Sequence, residues 1–401
     1  MKHYKILLVL LVSTLLFACR EENPAVLNPH DETLFSTWDD VFESFWNGMN
    51  YSYAFWDVDP TDWDAVYREY KPRFQDLKFY NSQDSMTVIE LFTEMTENLI
   101  DHHFVLSIKD ENGQIREQIY PGYQEVKERE YYHFFTEEDL VNTINTNEKK
   151  GRIKDFKYGY SEDMTIYSYS IDNNIVYLGL SAFRILSNLD NPDVSETLLN
   201  FYNLIETVSD LKGIVIDTRA NGGGYLADIY YILSPLVSQP ITFGYTRTKN
   251  GMGRLDYTPW SPMILYPASS AKDDESILQL QIKRDIEKIP IVALADINSV
   301  SMGEITPMAI CAFPNGCLIG ERTWGGHGPL NGFFNDSYAG TFENAAFQVY
   351  TSTSLTKNLD GNIYEGIGLT PDIEALYNET EFLNGNDTQL ERAIQYINTG
   401  K

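Results

Sequence analysis

Two stretches decide the fold: GIVIDTRANGGGY (Gly213–Tyr225) and ALADINSVSMGE (Ala293–Glu304). Each opens with an apolar run of strand length and ends in turn chemistry. Uninterrupted apolar strands are buried on both faces, which is the habit of a parallel sheet covered by helices. The first strand runs into three consecutive glycines, Gly222, Gly223 and Gly224. The second delivers Ser301 to the mouth of a predicted helix. A hydroxyl at a strand-to-helix turn, beside a glycine turn with free backbone N–H groups, is the minimal equipment of acyl transfer. In that reading the N–H groups of Met302 and of Gly223 or Gly224 hold the oxyanion. Each feature also has a plainer reading. Ser301 and Glu304 have the spacing of a capping box, and the glycines suit any turn that needs positive φ.

Outward from this centre, Ile175–Leu180 and Ile291–Ala295 read as buried strands. Ser195–Val208, Ala227–Val237, Glu304–Ala312 and Leu390–Ile397 read as helices. Strands alternating with helices predict an α/β core with a largely parallel sheet. Gly251–Asp274 reads as a loop insertion. Upstream, Phe35, Trp38, Val41, Phe42, Phe45 and Trp46, then Trp63, Val66, Tyr67 and Tyr70, recur at helical spacing, and Asp62 reads as a helix start. Ser85–Ile100 is a third amphipathic helix. The expected organisation is 1–18 signal peptide, 19–30 tether, 31–110 N-terminal helical domain, 111–173 variable connecting segment and 174–401 core.

The formal net charge is −28, from 30 Lys and Arg against 58 Asp and Glu. Such a balance disfavours nucleic acid and anionic membrane surfaces as partners and would steer cationic peptides toward the protein, although its plainer reading is a solubility device. Lys2 and Lys5 precede the apolar run Ile6–Phe17, too short for a mature membrane span. The run ends at Leu16-Phe17-Ala18-Cys19, which resembles a bacterial lipobox and implies lipid on Cys19. The expected location is the bacterial cell envelope, facing the periplasm or the cell surface, with the membrane contacted only through that lipid. Cys311 and Cys317 stand as a small disulfide loop or as two free thiols. Neither has a metal-ligand pattern nearby, and the reading includes no metal and no cofactor.

Four segments stand in the order found in the S41 serine peptidases: IVIDTRANGGG, NSVSMGE, IGERTWGG and YEGIGLTPDI (Tyr364–Ile373). The resemblance covers most of Asn174–Ile373. It extends weakly to DWDAVYREYKP (Asp62–Pro72) and LFTEMTENLIDHH (Leu91–His103). It implies a crotonase-like or ClpP-like spiral core with an N-terminal helical bundle. It also implies endopeptidase activity on peptides, protein termini or unfolded protein. Ser301 matches the family nucleophile. The processing-peptidase branch carries a lysine base, but the matching segment here is Thr323-Trp324-Gly325-Gly326-His327-Gly328, with Gly326 at the lysine position. No PDZ carboxylate loop is evident between Glu111 and Asn173. The tricorn-like branch carries its histidine in an Asp-x-His segment and its glutamate just before a Gly-x-Gly segment. Asp101-His102-His103 and Glu365 match these, which implies a Ser301–His103–Glu365 arrangement. Periodicity alone does not choose between His102 and His103. Thr323, Glu304 and His327 are candidates to line the cleft, His327 also as an alternative base. With the base on the helical segment, the cleft is expected between that segment and the core, gated by hinge motion. The competing class is a non-catalytic protein that binds a hydrophobic ligand or a peptide on the same fold. A peptidase specialised for cationic antimicrobial peptides is a third.

Overall fold

A computed structural model describes residues 35–270, 281–330 and 338–401. The expected signal peptide, Cys19 and the expected tether lie outside the described residues. Among the described residues no helix is long and apolar enough to cross a membrane.

The chain begins with helices α1 (Trp38–Ser52), α2 (Trp63–Gln75) and α3 (Ser82–Thr96). Thr37 and Asp62 start the first two by accepting the N–H of Asp40 and of Ala65. The aromatic stripe read from the sequence is core. Trp38, Phe42, Phe45, Trp63, Phe74 and Phe92 are all buried. Trp46 and Trp63 exchange bonds, each indole N–H donating to the other's carbonyl at 2.8 and 3.1 Å. The helices do not form a free-standing bundle. They pack on an antiparallel sheet of order β11-β12-β1-β2, built from β1 (Val105–Lys109), β2 (Ile115–Ile119), β11 (Phe342–Glu343) and β12 (Phe347–Tyr350). Phe342, Phe347 and Val349, far along the chain, thus complete the N-terminal core.

After α4 (Pro121–Lys127) and α5 (Glu137–Lys149), the chain enters a seven-stranded sheet of order β14-β10-β9-β6-β5-β4-β3. Its members are β3 (Ile153–Ser161), β4 (Met164–Ile171), β5 (Ile175–Leu180), β6 (Gly213–Asp217), β9 (Ile291–Ala295), β10 (Gly316–Gly320) and β14 (Ile373–Glu374). Strands β5, β6, β9, β10 and β14 run parallel, while β3 and β4 pair antiparallel. One face carries α6 (Pro192–Thr207), α7 (Asp228–Leu233) and α8 (Met302–Cys311). The other carries α5 and the C-terminal α10 (Thr388–Thr399), which follows a short α9 (Glu379–Leu383). This is the α/β architecture expected from the alternation. A three-stranded sheet, β13-β7-β8, joins β7 (Ile241–Thr248), β8 (Ser261–Leu265) and β13 (Ser354–Lys357).

Two expectations change. The segment 111–173 supplies β3 and β4 to the core sheet rather than only connecting domains. The alternation in Thr165–Ser170 reads as a strand but does not show that it joins the core: β4 is buried throughout, with Tyr167 and Tyr169 on one face and Ile166 on the other. Its polar Ser168 is satisfied by donating to Thr197 O at 2.8 Å. Gly251–Asp274 is not wholly loop, because β8 pairs with β7 and buries Met263 and Leu265. The Cys311 and Cys317 thiols are both free.

Just before the glycine turn, Arg219 is buried between Asp217 and Asp387. Asp387 also caps α10 by accepting Leu390 N–H at 3.0 Å, so one ion-pair cluster ties the turn to the last helix. Arg219→Met is expected to lower stability by about 3–5 kcal/mol, because it strands two buried carboxylates. A urea midpoint within experimental error of the parent would remove this account.

Candidate active site

Ser301 sits at φ 59°, ψ −118°, one residue before α8. A non-glycine residue there is strained and persists only where its surroundings fix it. Its side chain makes no capping bond, and Glu304 is engaged elsewhere, so the capping-box reading fails. What fixes Ser301 is the backbone: its N–H donates to Gly326 O at 3.0 Å, and Val300 N–H donates to Asn221 O at 3.0 Å.

The glycine turn lies directly against this serine. A Cβ on Gly223 would stand 2.5 Å from Ser301 Cβ and 2.9 Å from Ser301 Oγ. Gly223 has φ +88° and Gly224 φ +145°. A Cβ on Gly224 would stand 2.0 Å from Phe183 O. Both positions therefore need glycine. The three amides expected to hold an oxyanion differ, however. Gly223 N–H already donates to Asn221 Oδ1 at 2.8 Å. Among the described residues, the N–H groups of Gly224 and Met302 donate to no protein acceptor.

Glu304, fully buried, organises the segment that faces Ser301. It accepts the Thr323 hydroxyl, Gly325 N–H at 2.9 Å and Gly326 N–H at 2.7 Å, and it bonds His327 Nε2 at 3.0 Å. Burial pushes its carboxyl up. The attraction of the His327 ring and the bonds from His327, Thr323 and Gly325 outweigh this and hold it below the ordinary carboxylate range. The His327 ring, 2% exposed, is thereby committed to Glu304. Thr323 also accepts Leu369 N–H at 2.7 Å.

His103 approaches from the loop after α3. A Cβ on Gly326 would lie 3.1 Å from His103 Cε1 and 3.4 Å from Nδ1, so the bare Cα of Gly326 makes room for the ring. Ser301 and His103 thus flank the same glycine, one on its carbonyl and one on its Cα. No hydrogen bond joins the Ser301 hydroxyl to His103 or to His327 among the described residues. His103 Nδ1 is buried with no partner among them. Burial pushes the His103 pKa below 6.5, against the opposing pull of Asp101 and Glu304.

Glu365 does not bond the His103 ring. It accepts His102 N–H at 3.0 Å, His327 N–H at 2.8 Å and Gly328 N–H at 2.6 Å. Burial, then the proximity of Asp101, pushes its carboxyl well above the ordinary range, while the amide bonds pull the other way. Asp101, Glu365 and a ring nitrogen of His103 all lie within 4.8 Å of one another. His102 points elsewhere, with Nδ1 at 3.0 Å from Trp324 O and Nε2 at 3.7 Å from Glu125.

Three contributors carried no role in the sequence reading. Asp101 was quoted only as motif spacing, yet it is buried and accepts His103 N–H, the Thr351 hydroxyl, and both the N–H and the hydroxyl of Ser352. Asn221, next to the glycine run, holds Gly223 and Val300. Arg129 donates to Thr323 O at 2.9 Å and Trp324 O at 3.0 Å. Asn221 was the legible one, since Asn before glycines signals a fixed turn. Nothing local marks Arg129.

Alanine at Gly223 is expected to cost roughly 1–3 kcal/mol through its positive φ and to push on the Ser301 side chain. Urea unfolding should register the loss, and labelling of Ser301 by a fluorophosphonate should slow at least about tenfold. A variant labelled at the parent rate would show that the turn does not set the Ser301 environment.

The chain is 23% identical over 275 residues to a tricorn protease homolog of Saccharolobus solfataricus, which covers 66% of this chain and 22% of that protein. It is 24% identical over 210 residues to the nisin-resistance protein of Lactococcus lactis subsp. lactis, covering 51% and 57%. The chain thus spans from about a fifth to under two thirds of these relatives' own lengths. Among solved structures, a candidate peptidase from Parabacteroides merdae ATCC 43184 superposes with TM-score 0.64 at 21% identity, covering 90% of this chain and 97% of that one. Mature CPAF complexed with lactacystin gives 0.56 at 12%, covering 91% and 99%. Both likenesses concern the fold. The profile of peptidase family S41 matches residues 174–375, just over half of the 401 residues. The chain belongs to peptidase family S41, the serine-type peptidases that its four motifs resemble.

Proposed function

We propose that the protein is a lipid-anchored, extracytoplasmic serine endopeptidase that cleaves peptides or protein termini through an acyl-enzyme. The observation that carries this reading is the convergence on Gly326: its carbonyl holds the Ser301 backbone, and its Cα admits the His103 ring. His103 takes the Ser301 proton as the hydroxyl attacks a peptide carbonyl. Gly224 and Met302 offer free N–H groups to the developing oxyanion, with Gly223 as the hinge between them rather than a donor. The imidazolium that forms lies beside Asp101 and Glu365. His103 then returns its proton to the leaving amine, and water hydrolyses the ester by the same route. Apo catalytic contacts are often long and tighten with substrate, which accommodates the open Ser301 hydroxyl. The lipid anchor rests on Lys2, Lys5, the apolar run 6–17 and Cys19.

A fluorophosphonate probe tests the assignment. Wild type is expected to label and Ser301→Ala not to, with the labelled protein in the membrane fraction and Cys19→Ser shifting it to the soluble one. Absence of label from both proteins selects the non-catalytic binding protein instead.

The acid limb of kcat/KM supplies a second check. A ring whose charged form is disfavoured stays neutral to lower pH, so a base of this kind keeps working as pH falls past 6.5. The limb's midpoint is expected below 6.5; a midpoint above that value would exclude His103 in this environment as the base.

A further inference from the structure

We propose that Asp101, His103 and Glu365 form a binding site for a divalent transition ion of the zinc class, and that its occupancy withdraws His103 from catalysis. The inhibition rests on the peptidase reading; the binding does not.

The three side chains offer one nitrogen and two carboxylate oxygens, all within 4.8 Å of one another. Imidazole with carboxylates is a donor set that suits borderline divalent metals. Zinc holds nitrogen and oxygen donors about 2.0–2.2 Å away, so tetrahedral donors stand roughly 3.3 Å apart and the group must tighten by up to about 1.5 Å. Free lone pairs exist for this. His103 Nδ1 is buried without a partner among the described residues. Glu365 Oε1 accepts one bond, from His102 N–H, and keeps its second lone pair. Asp101 uses all four lone pairs, but one of its donors has an alternative. The Ser352 hydroxyl lies 2.9 Å from Asp101 Oδ1 and 3.5 Å from Gly328 O, so rotation to the carbonyl frees one lone pair of Oδ1.

Charge and support point the same way. Asp101 and Glu365 are 0% and 3% exposed, and a dication between them offsets the mutual repulsion of two buried carboxylates. The outer partners that orient metal ligands are already present. Asp101 Oδ1 holds His103 N–H at 2.9 Å, and Glu365 Oε2 is fixed by His327 and Gly328 N–H.

The test titrates the Ser301→Ala protein with Zn²⁺ by calorimetry and with Co²⁺ by visible d–d absorption, so no step depends on turnover. One ion per chain is expected. Glu365→Gln and His103→Gln should each weaken binding at least about tenfold, while His133→Gln, whose ring pairs with Glu321 instead, should leave it within about twofold. In wild type, Zn²⁺ should slow fluorophosphonate labelling of Ser301 and EDTA should restore it. Absence of one-to-one binding, or binding that both substitutions leave unchanged in folded protein, would overturn the site. Metal binding with the expected pattern in a chain whose metal-free wild type never labels would keep this site and reject the peptidase reading.

Discussion

The arrangement around Ser301 depends on one buried carboxylate. Glu304 lies one turn into α8, the helix that begins after Ser301, and it gathers donors from Thr323, Gly325, Gly326 and His327. Hydrogen bonds to a charged group contribute roughly 1.5–3 kcal/mol each. Their larger effect is geometric. They lock the segment 323–327 to the same helix that carries the serine. That segment then returns Gly326 O to Ser301 N–H, yields space to His103 at Gly326, and sends Trp324 O to His102. Without the carboxylate, two amides and a hydroxyl would be left buried with nothing to bond.

Glu304, Glu365 and Asp101 put three buried carboxylates around two imidazoles. Such burial is costly unless each charge is met by donors. The chain meets it mostly with backbone. Glu365 takes three amides, Glu304 two, and Asp101 two amides with two hydroxyls. Because amides do not titrate, these donor sets stay in place while the rings change state. His103, desolvated, rests neutral, and a proton arriving on it meets carboxylates already in place. This is preorganisation in the sense that matters for proton transfer: the field does not reorganise when the charge appears.

The sequence showed the parts that are contiguous and apolar. Ile175–Leu180, Gly213–Asp217 and Ile291–Ala295 fold as read, because strands buried on both faces read as nearly continuous apolar runs. Ser301 and the glycine run were legible because a strained turn restricts residue type. His103 and Glu365 were not readable from periodicity. They matter through contacts across hundreds of residues, such as His102 N–H to Glu365, and only the motif resemblance joined them. Strand β4 was legible as a strand from the alternation in Thr165–Ser170, but its place inside the core sheet was not. Its tyrosines and serines read as polar, while in the fold the rings of Tyr167 and Tyr169 are buried and the Ser168 hydroxyl donates to Thr197 O. The amide of Gly223 is the instructive miss. The glycine was placed correctly at the serine, but Asn221, two residues earlier, takes its N–H. Sequence shows that an amide is available in a turn, not which side chain reaches it first.

The position of His103 also bears on the expected hinge gating between helical segment and core. His103 follows residues fastened on both sides. Asp101 N–H and Ile100 N–H donate to Tyr53 and Asp59 in the helical region, while the Asp101 carboxylate holds Thr351 and Ser352 and the His102 amide reaches Glu365. Strands β11 and β12 then enter the N-terminal sheet and fill its core with Phe342, Phe347 and Val349. A hinge that moved His103 away from Ser301 would break several buried hydrogen bonds at once and pull strands from a shared sheet. Such a motion resembles partial unfolding more than domain closure. The lower-cost adjustment is local: the Ser301 hydroxyl rotates, or the His103 ring turns within the space left by Gly326. In the proposed mechanism, the approach of substrate, rather than the approach of two domains, is the step that brings hydroxyl and imidazole into reach.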